Sequence, residues 1–242
     1  RWLPLSRGLG DVYKRQAGRL ARTLGLMNLQ LLRRKALDNS LEVEHILRAA
    51  REGVPGLSAE LANLTHRCGW SFTTHLPDGT HVAPFARWAA VASAYADHDF
   101  AGLHRIAADE DSAPYVIGLL EELNTSDAVD ALLTIFARSL EEPCTNQATT
   151  HRLVKAINLL FSVKSSPASA AEQRRVCAKF LNKMLLLASS NAQRALVMYA
   201  MRGTGDASCL AALSTVQDTE PPYVGAKAAA IKAIQRRMRN EA

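Results

Sequence analysis

The sequence predicts an all-α fold in which antiparallel helix pairs stack into an α-solenoid. Apolar residues recur three or four positions apart along most of the 242 residues, as on one face of a helix, whereas the alternation that marks strands is confined to one short segment. Two similar turns, 123–128 and 202–207, are 79 residues apart, and a third turn at 164–167 lies roughly midway between them. The implied period of about 40 residues is typical of helix-pair repeats.

An unusual stretch sets the first sixteen residues apart from the rest. Residues 6–16 read SRGLGDVYKRQ and resemble the in-frame translation of an adapter used in sequencing libraries. We therefore expect residues 1–16 to be an artefact that carries no information about the fold. The rest of the chain is expected to comprise an N-terminal helical region, 17–83, and a domain of helical repeats, 84–242.

The charge balance argues against a nucleic-acid partner. Leaving out residues 1–16 removes four basic residues and one acidic residue, which lowers the net charge from +6 to +3. Nucleic-acid recognition usually requires a concentrated basic patch, so a net charge of +3 gives no reason to expect it. No apolar run reaches the length of a bilayer, so no membrane-spanning helix is expected.

Cysteine usage indicates the compartment. The four cysteines are Cys68, Cys144, Cys177 and Cys209. No two of them are close in sequence, and Cys177 and Cys209 fall within apolar helical patterns, where a free thiol behaves as a small apolar group. This favours a reducing compartment such as the cytoplasm, although an even number of cysteines also allows disulfides.

The N-terminal region is expected to contain three helices, covering residues 17–37, 39–52 and 58–67. The first has a helical apolar pattern with scattered basic residues. Asn39 and Glu42 have the spacing of a capping box at the start of the second helix. Ser58 is in a position to cap the third helix, which follows the break at Gly53-Val-Pro-Gly56.

Residues 69–83 have a different pattern from their neighbours. The segments 70–74 and 80–82 are rich in aromatic and β-branched residues, and they flank a Pro-Asp-Gly turn at 77–79. This arrangement is typical of a β-hairpin. We therefore predict one small hairpin within 69–83, at the boundary between the N-terminal region and the repeats.

From Pro84 onward the helical pattern is regular. The clearest apolar stripe consists of Val129, Leu132, Leu133, Phe136 and Leu140. Capping boxes are predicted before two later helices, and they consist of Ser169 with Glu172 and Ser190 with Gln193. The turns predict that helix pairs begin near residues 99, 127, 170 and 207.

The repeats resemble HEAT repeats, especially the short type found in bilin lyases. In that type an Asp-containing turn opens one helix, and a second Asp/Pro turn precedes a Val-initiated helix rich in Ala. Residues 205–213 and 218–231 match both halves, and residues 124–132 match the first half. The Arg that usually follows the Val is absent, since Ile117 and Gly225 occupy those places.

This resemblance covers residues 84–239 and implies a stack of helix pairs that share one core. Such stacks present a long surface that usually binds another macromolecule, so we expect a non-catalytic interaction scaffold with a protein partner. The C-terminal segment also resembles the helical domain of large lipid-transfer proteins of the vitellogenin type. The two resemblances imply two alternatives, a lipid-handling part of a larger protein and an enzyme of the bilin-lyase type.

The sequence contains no familiar catalytic or cofactor-binding motif. The G-x-S-x-G, H-E-x-x-H and P-loop patterns are absent, so neither a catalytic residue nor a cofactor is predicted. One group of conceivable zinc ligands consists of His66, Cys68, His75 and His81. Its spacing matches no standard zinc finger, so no metal site is predicted. Residues 97–99 and 203–205 are expected to be turns at helix ends.

Five basic residues are the candidate binding residues. They are Arg152, Lys155, Arg194, Lys232 and Arg236. They are predicted to lie on the polar sides of the second helices of successive pairs, which line the concave face of a HEAT-type stack. A positive strip of this kind would attract an acidic segment of the partner. The alternative is that they form an ordinary solvated surface, which is the commoner role of such residues, and Lys232 and Arg236 also suit the negative C-terminal end of the last helix.

Overall fold

The computed structural model describes residues 29–70, 84–143, 147–163, 171–217, 220–221 and 223–241. The secondary structure of these residues is helical and includes no strand, so the described part of the chain is all-α. The chain divides into two compact units, Arg1–Gly102 and Leu103–Ala242.

The first three helices among the described residues of the first unit are α1 (described over 29–37), α2 (Val43–Arg51) and α3 (Leu57–Arg67). The capping box predicted at Asn39 is wrong. Asn39 lies just after the last turn of α1 and has a φ of 53°. This is the left-handed conformation that often ends a helix, and Asn tolerates it better than most residues do. The residue that caps α2 is Glu42, whose backbone N–H donates to Nδ1 of His45 at 3.1 Å.

Polar contacts join the helices of this unit. The guanidinium of Arg33 in α1 forms an ion pair with the buried carboxylate of Glu60 in α3. The hydroxyl of Ser58 donates to Oδ2 of Asp97 in α4 (Phe85–Ile106) at 2.7 Å. Asp99 has a φ of 54° and interrupts α4, so the turn predicted at 97–99 is a break within a longer helical segment.

The predicted hairpin is not supported. Its residues 71–83 lie outside the described part of the chain, so its turn and most of its strands are not assessed. Gly69 and Trp70 are described, and neither of them is in a strand. Gly69 has a φ of 61°, and the Trp70 ring packs on Phe85 with centroids 5.3 Å apart.

The second unit consists of eight further helices and one π-helical turn among its described residues. They are α5 (Ala113–Leu123), α6 (Ser126–Ile135), α7 (Ala137–Glu141), α8 (Gln147–Asn158), the π-helical turn Leu159–Val163, α9 (Ala171–Leu187), α10 (Asn191–Thr204), α11 (Ala207–Thr215) and α12 (Ala226–Glu241). The starts of α6, α9 and α11 are each within one residue of the predicted starts near 127, 170 and 207.

These helices pack in two layers. In the first layer α8 contacts α5 and α10, and α10 contacts α12. In the second layer α9 contacts α6, α7 and α11. Contacts between the layers join α7 to α8, α9 to α10 and α11 to α12. Among the largest fully buried side chains of this unit are Leu103, Ile117, Leu119, Leu120, Leu132, Leu153, Ile157 and Phe180.

Local capping signals explain where α10 and α11 begin. Ser190 and Gln193 form the predicted capping box, in which the Gln193 N–H donates to Ser190 Oγ at 3.2 Å and Gln193 Oε1 accepts from the Ser190 N–H at 3.3 Å. Asp206 caps α11 by accepting from the N–H groups of Ser208 and Cys209. Residues 203–205 are the end of α10 and its C-cap, as the predicted turn required.

The π-helical turn packs unusually closely on α10. The hydroxyl of Ser162 donates to the carbonyl of Tyr199 at 3.1 Å. A Cβ atom at Gly203 would lie 2.4 Å from the carbonyl carbon of Phe161. Only glycine therefore allows this approach of the two backbones.

Candidate protein-interaction surface

A basic groove of about 530 Å³ lies between α10 and α12. Its lining residues, which define the basic groove, are Arg202, Ala229, Lys232, Ala233, Arg236, Arg237 and Asn240. Each of the six residues from α12 has another of them three or four positions away, so they share one side of that helix. Among these described lining residues four are basic and none is acidic, so the groove offers a positive surface to an anion.

One of the four cations has a structural role. Arg237 donates from Nη1 to the carbonyl of Arg202 at 2.8 Å, and from Nη2 to the carbonyl of Gly205. These carbonyls belong to the end of α10, where intrahelical partners are missing. Arg237 thus fixes α12 against α10 and is largely occupied.

The other three cations are exposed and free to act on a ligand. Arg202, Lys232 and Arg236 are exposed, and none of the ion pairs among the residues that the structure describes includes them. The partial negative charges at helix ends balance only some of the positive charge in the groove. The C-termini of α10 and α12 contribute about −0.5 each, against four positive side chains. The groove therefore keeps an excess of about +3.

The structure brings two of the five predicted binding residues together. Lys232 and Arg236 line the basic groove. Arg152 does not, because its Nη2 donates to Oε2 of the nearly buried Glu121 at 2.5 Å and so joins α8 to α5. Lys155 is exposed on α8, one turn after His151.

Arg194 lines neither the basic groove nor the second concavity described below, and its side chain is only partly exposed. Its Nε is buried and has no hydrogen-bond partner among the described residues. Arg194 is therefore not among the residues that line the groove with Lys232 and Arg236.

Sequence reasoning missed Arg202. Its only sequence signal was its place at the start of the turn 202–207, where a basic residue also suits the C-terminal end of a helix. Packing of α12 beside α10 makes Arg202 face the cations of α12. No local pattern reveals that contact.

A second concavity, the apolar pocket, lies between α8, α9 and α10 and has a volume of about 200 Å³. Apolar side chains form most of its walls: Pro143, Val154, Met184, Leu187, Ala188, Leu196 and Val197. Its polar lining residues are Gln147, Thr150, His151, Ser189 and Gln193. Leu187 is 49% exposed, so part of this apolar surface is open to solvent.

His151 is the titratable residue of the apolar pocket. Partial burial, followed by the positive charge of Lys155, holds the pKa of His151 below its usual value of 6.5. The imidazole is therefore mainly neutral at pH 7, and the apolar pocket carries no full charge under these conditions.

The buried thiols are inert groups. Burial raises the pKa of Cys177 to about 12 and that of Cys209 to about 11, so both are protonated at neutral pH. Of the conceivable zinc ligands, His75 and His81 lie outside the described residues. In the part of the chain that is described, no three His, Cys, Asp or Glu side chains are grouped as a metal site would require.

No described helix has the length and apolar character needed to cross a membrane. No family model matches the chain, and neither a curated protein nor a solved structure is significantly similar to it. The two concavities on either side of α10 are therefore the features of the described residues that bear on its function.

Proposed function

We propose that the second unit is an α-solenoid that binds a protein partner and catalyses no reaction. Two layers of helices, joined pair by pair along the chain, support this architecture. The second helices of successive pairs, α8, α10 and α12, are neighbours in one layer, as in helical repeat proteins. Solenoids of this kind commonly use one layer as an extended binding surface.

The segment bound by this surface is acidic. The observation that carries the proposal is that three cations without ion pairs, Arg202, Lys232 and Arg236, converge on one groove whose lining contains no acid. Guanidinium groups match the fork of a carboxylate and can bind it through two parallel hydrogen bonds. The side chains of Ala229 and Ala233 are small, so they leave room for a peptide backbone to approach the cations.

The size of the apolar pocket favours a protein partner over a lipid. Pockets for small molecules usually measure about 300–1,000 Å³. The apolar pocket measures about 200 Å³ and is therefore smaller than a typical ligand site. A single side chain of a partner is a better match to this volume than an acyl chain.

A peptide-binding measurement tests the proposal. The probe is a fluorescein-labelled ten-residue peptide of alternating Glu and Ser, and its counterpart carries Lys in place of Glu. We expect the protein to bind the Glu peptide in preference to the Lys peptide, and to lose affinity as salt screens the charges. Reversing the three free cations (Arg202→Glu, Lys232→Glu and Arg236→Glu) should weaken binding about tenfold.

A control variant distinguishes the basic groove from general charge attraction. Arg67→Glu, Arg105→Glu and Lys179→Glu make the same change in net charge at exposed residues outside the groove. This variant should bind the Glu peptide nearly as well as the unaltered protein. An equal loss in both variants, or no binding of the Glu peptide at all, would contradict the proposed function.

A further inference from the structure

The apolar pocket and the basic groove lie on opposite flanks of the same helix. Gln193, Leu196 and Val197 of α10 line the pocket on the flank that faces α8. Arg202 of α10 lines the groove on the flank that faces α12. A ligand that crosses α10 can therefore occupy both concavities.

The separation of the two concavities follows from helix geometry. Leu196 and Arg202 are six residues apart, which corresponds to about 9 Å along the helix axis. The two flanks of a helix are separated by about 10 Å, so the line from pocket to groove is about 13 Å long. An extended peptide advances about 3.3 Å per residue and covers this distance in about four residues.

The chemistry of the apolar pocket selects an apolar side chain. Two of its polar groups are already engaged within the chain: the Thr150 hydroxyl donates to the carbonyl of Pro143, and Gln193 Oε1 accepts from the Ser190 N–H. His151 is mainly neutral at pH 7. The rest of the lining is mainly apolar, and Leu187 in it is half exposed to solvent. Burial of this apolar surface by a side chain of the partner is favourable.

From these observations we propose that one partner segment binds both concavities, with an apolar anchor residue in the pocket and acidic residues in the groove about four positions away. This inference rests on the proposed function, because the acidic residues are its link to the basic groove. Charge complementarity identifies the segment, and the shared helix α10 fixes the spacing. The apolar anchor provides burial, whereas the acidic residues provide orientation.

The test compares labelled peptides that differ only in anchor and spacing. The anchored peptide carries Leu four positions from a pair of Glu residues, and it is made in both chain directions. In the unanchored peptide Ser replaces Leu, and in the shortened peptide Leu is one position from the Glu pair. We expect one direction of the anchored peptide to bind about tenfold more tightly than the unanchored peptide, as burial of one Leu side chain predicts. The shortened peptide should lose most of this gain.

Two adjacent leucines of α9 provide a matched pair of variants. Leu187 lines the apolar pocket, whereas Leu186 does not and is 73% exposed. Leu187→Ser should reduce the affinity for the anchored peptide severalfold and leave the unanchored peptide unaffected. Leu186→Ser should change neither affinity, and circular dichroism checks that both variants are folded.

The outcomes separate the two proposals. If the anchored and unanchored peptides bind equally well and both depend on the cations, the anchor proposal is wrong and the acidic-segment function stands. If Leu186→Ser weakens the anchored peptide as much as Leu187→Ser does, the anchor is not in the apolar pocket. If no Glu-containing peptide binds, the proposed function itself fails.

Discussion

At the scale of single residues, Leu133 and Phe180 show how burial decides the effect of a substitution. Leu133 belongs to the predicted apolar stripe of residues 129–140 and Phe180 lies in α9, but Phe180 is 1% exposed whereas Leu133 is only partly buried. Phe180→Ala should lower the free energy of unfolding by about 3–5 kcal/mol, because it leaves a large cavity. Leu133→Ala should cost less than about 2 kcal/mol, since its site remains partly solvated. Urea unfolding followed by circular dichroism measures both, and equal losses would contradict this order.

Asp206 gives a prediction that depends on pH. Partial burial acts to raise the pKa of Asp206, but hydrogen bonds from Ser208 and Cys209 outweigh it and hold the pKa below its usual value of 3.8. The cap therefore stabilises the protein fully above pH 3.8, and this contribution is lost as pH falls through the lowered pKa. Asp206→Ala should cost about 0.5–2 kcal/mol at pH 7. In urea titrations below pH 4, the free energies of unfolding of Asp206→Ala and the unaltered protein should become more similar. A larger difference between them at low pH would contradict this role.

The residue scale also shows which contacts sequence can predict. The capping box of Ser190 and Gln193 was predicted because its two members are three residues apart and their geometry is local. The ion pair of Arg152 with Glu121 joins residues 31 apart, and no pattern indicated it. For that reason Arg152 was predicted as a binding residue although α5 engages its guanidinium.

At the scale of helices, the backbones of α10 and the π-helical turn approach each other closely at Gly203. Gly203→Ala would place a methyl group 2.4 Å from the Phe161 carbonyl carbon, so the two backbones would have to separate. We expect a loss of about 1–3 kcal/mol even though Ala favours helices more than Gly does. Ala192→Gly in the same helix is exposed and should cost only about 1 kcal/mol. Thermal unfolding compares the two variants, and a Gly203→Ala variant as stable as the unaltered protein would refute the close approach.

The last helix shows the limit of periodicity as evidence. Small and apolar residues lie on more than one side of α12, so their spacing alone does not select its buried side. The buried stripe is Ala226, Ala230 and Ile234, whereas Met238 is 38% exposed. Alanines allow α12 to pack closely on α10, and hydropathy alone does not rank them above larger side chains. The side of α12 that became the basic groove was therefore not predictable without its neighbour.

At the scale of the whole molecule, the all-α class and the starts of three helices followed from the turns in the sequence. The turns could be located because Asp, Asn, Gly and Pro have distinct backbone preferences. The lateral order of the helices could not be derived in the same way, because it depends on contacts between residues far apart in sequence. Lys232 and Arg236 were thus recognised individually, whereas their meeting with Arg202 required the structure.

The two buried thiols report on the unfolding of the second unit. Cys177 in α9 and Cys209 in α11 are fully buried, and Cys209 Sγ lies 3.8 Å from the carbonyl of Ala178. Their raised pKa values leave almost no thiolate at pH 8, so iodoacetamide should label neither in the folded protein. Both should become reactive at the same urea concentration if the unit unfolds cooperatively. Peptide mass spectrometry resolves the two sites, with the half-buried Cys68 as an internal comparison, and rapid labelling without urea would contradict their burial.

The π-helical turn at Leu159–Val163 has a consequence for the gene. Its hydrogen bonds span five residues instead of four, so the turn holds one residue more than an α-helix needs. Deleting a single codon within it would let α8 continue as a regular helix and rotate every later residue of the turn by about 100°. Phe161 and Ser162 would then lose their contacts with the backbone of α10. Both concavities are lined by residues of this helix, so they would change shape. Among homologous genes, a one-codon change in length at this point should therefore be accompanied by a side chain in place of Gly203.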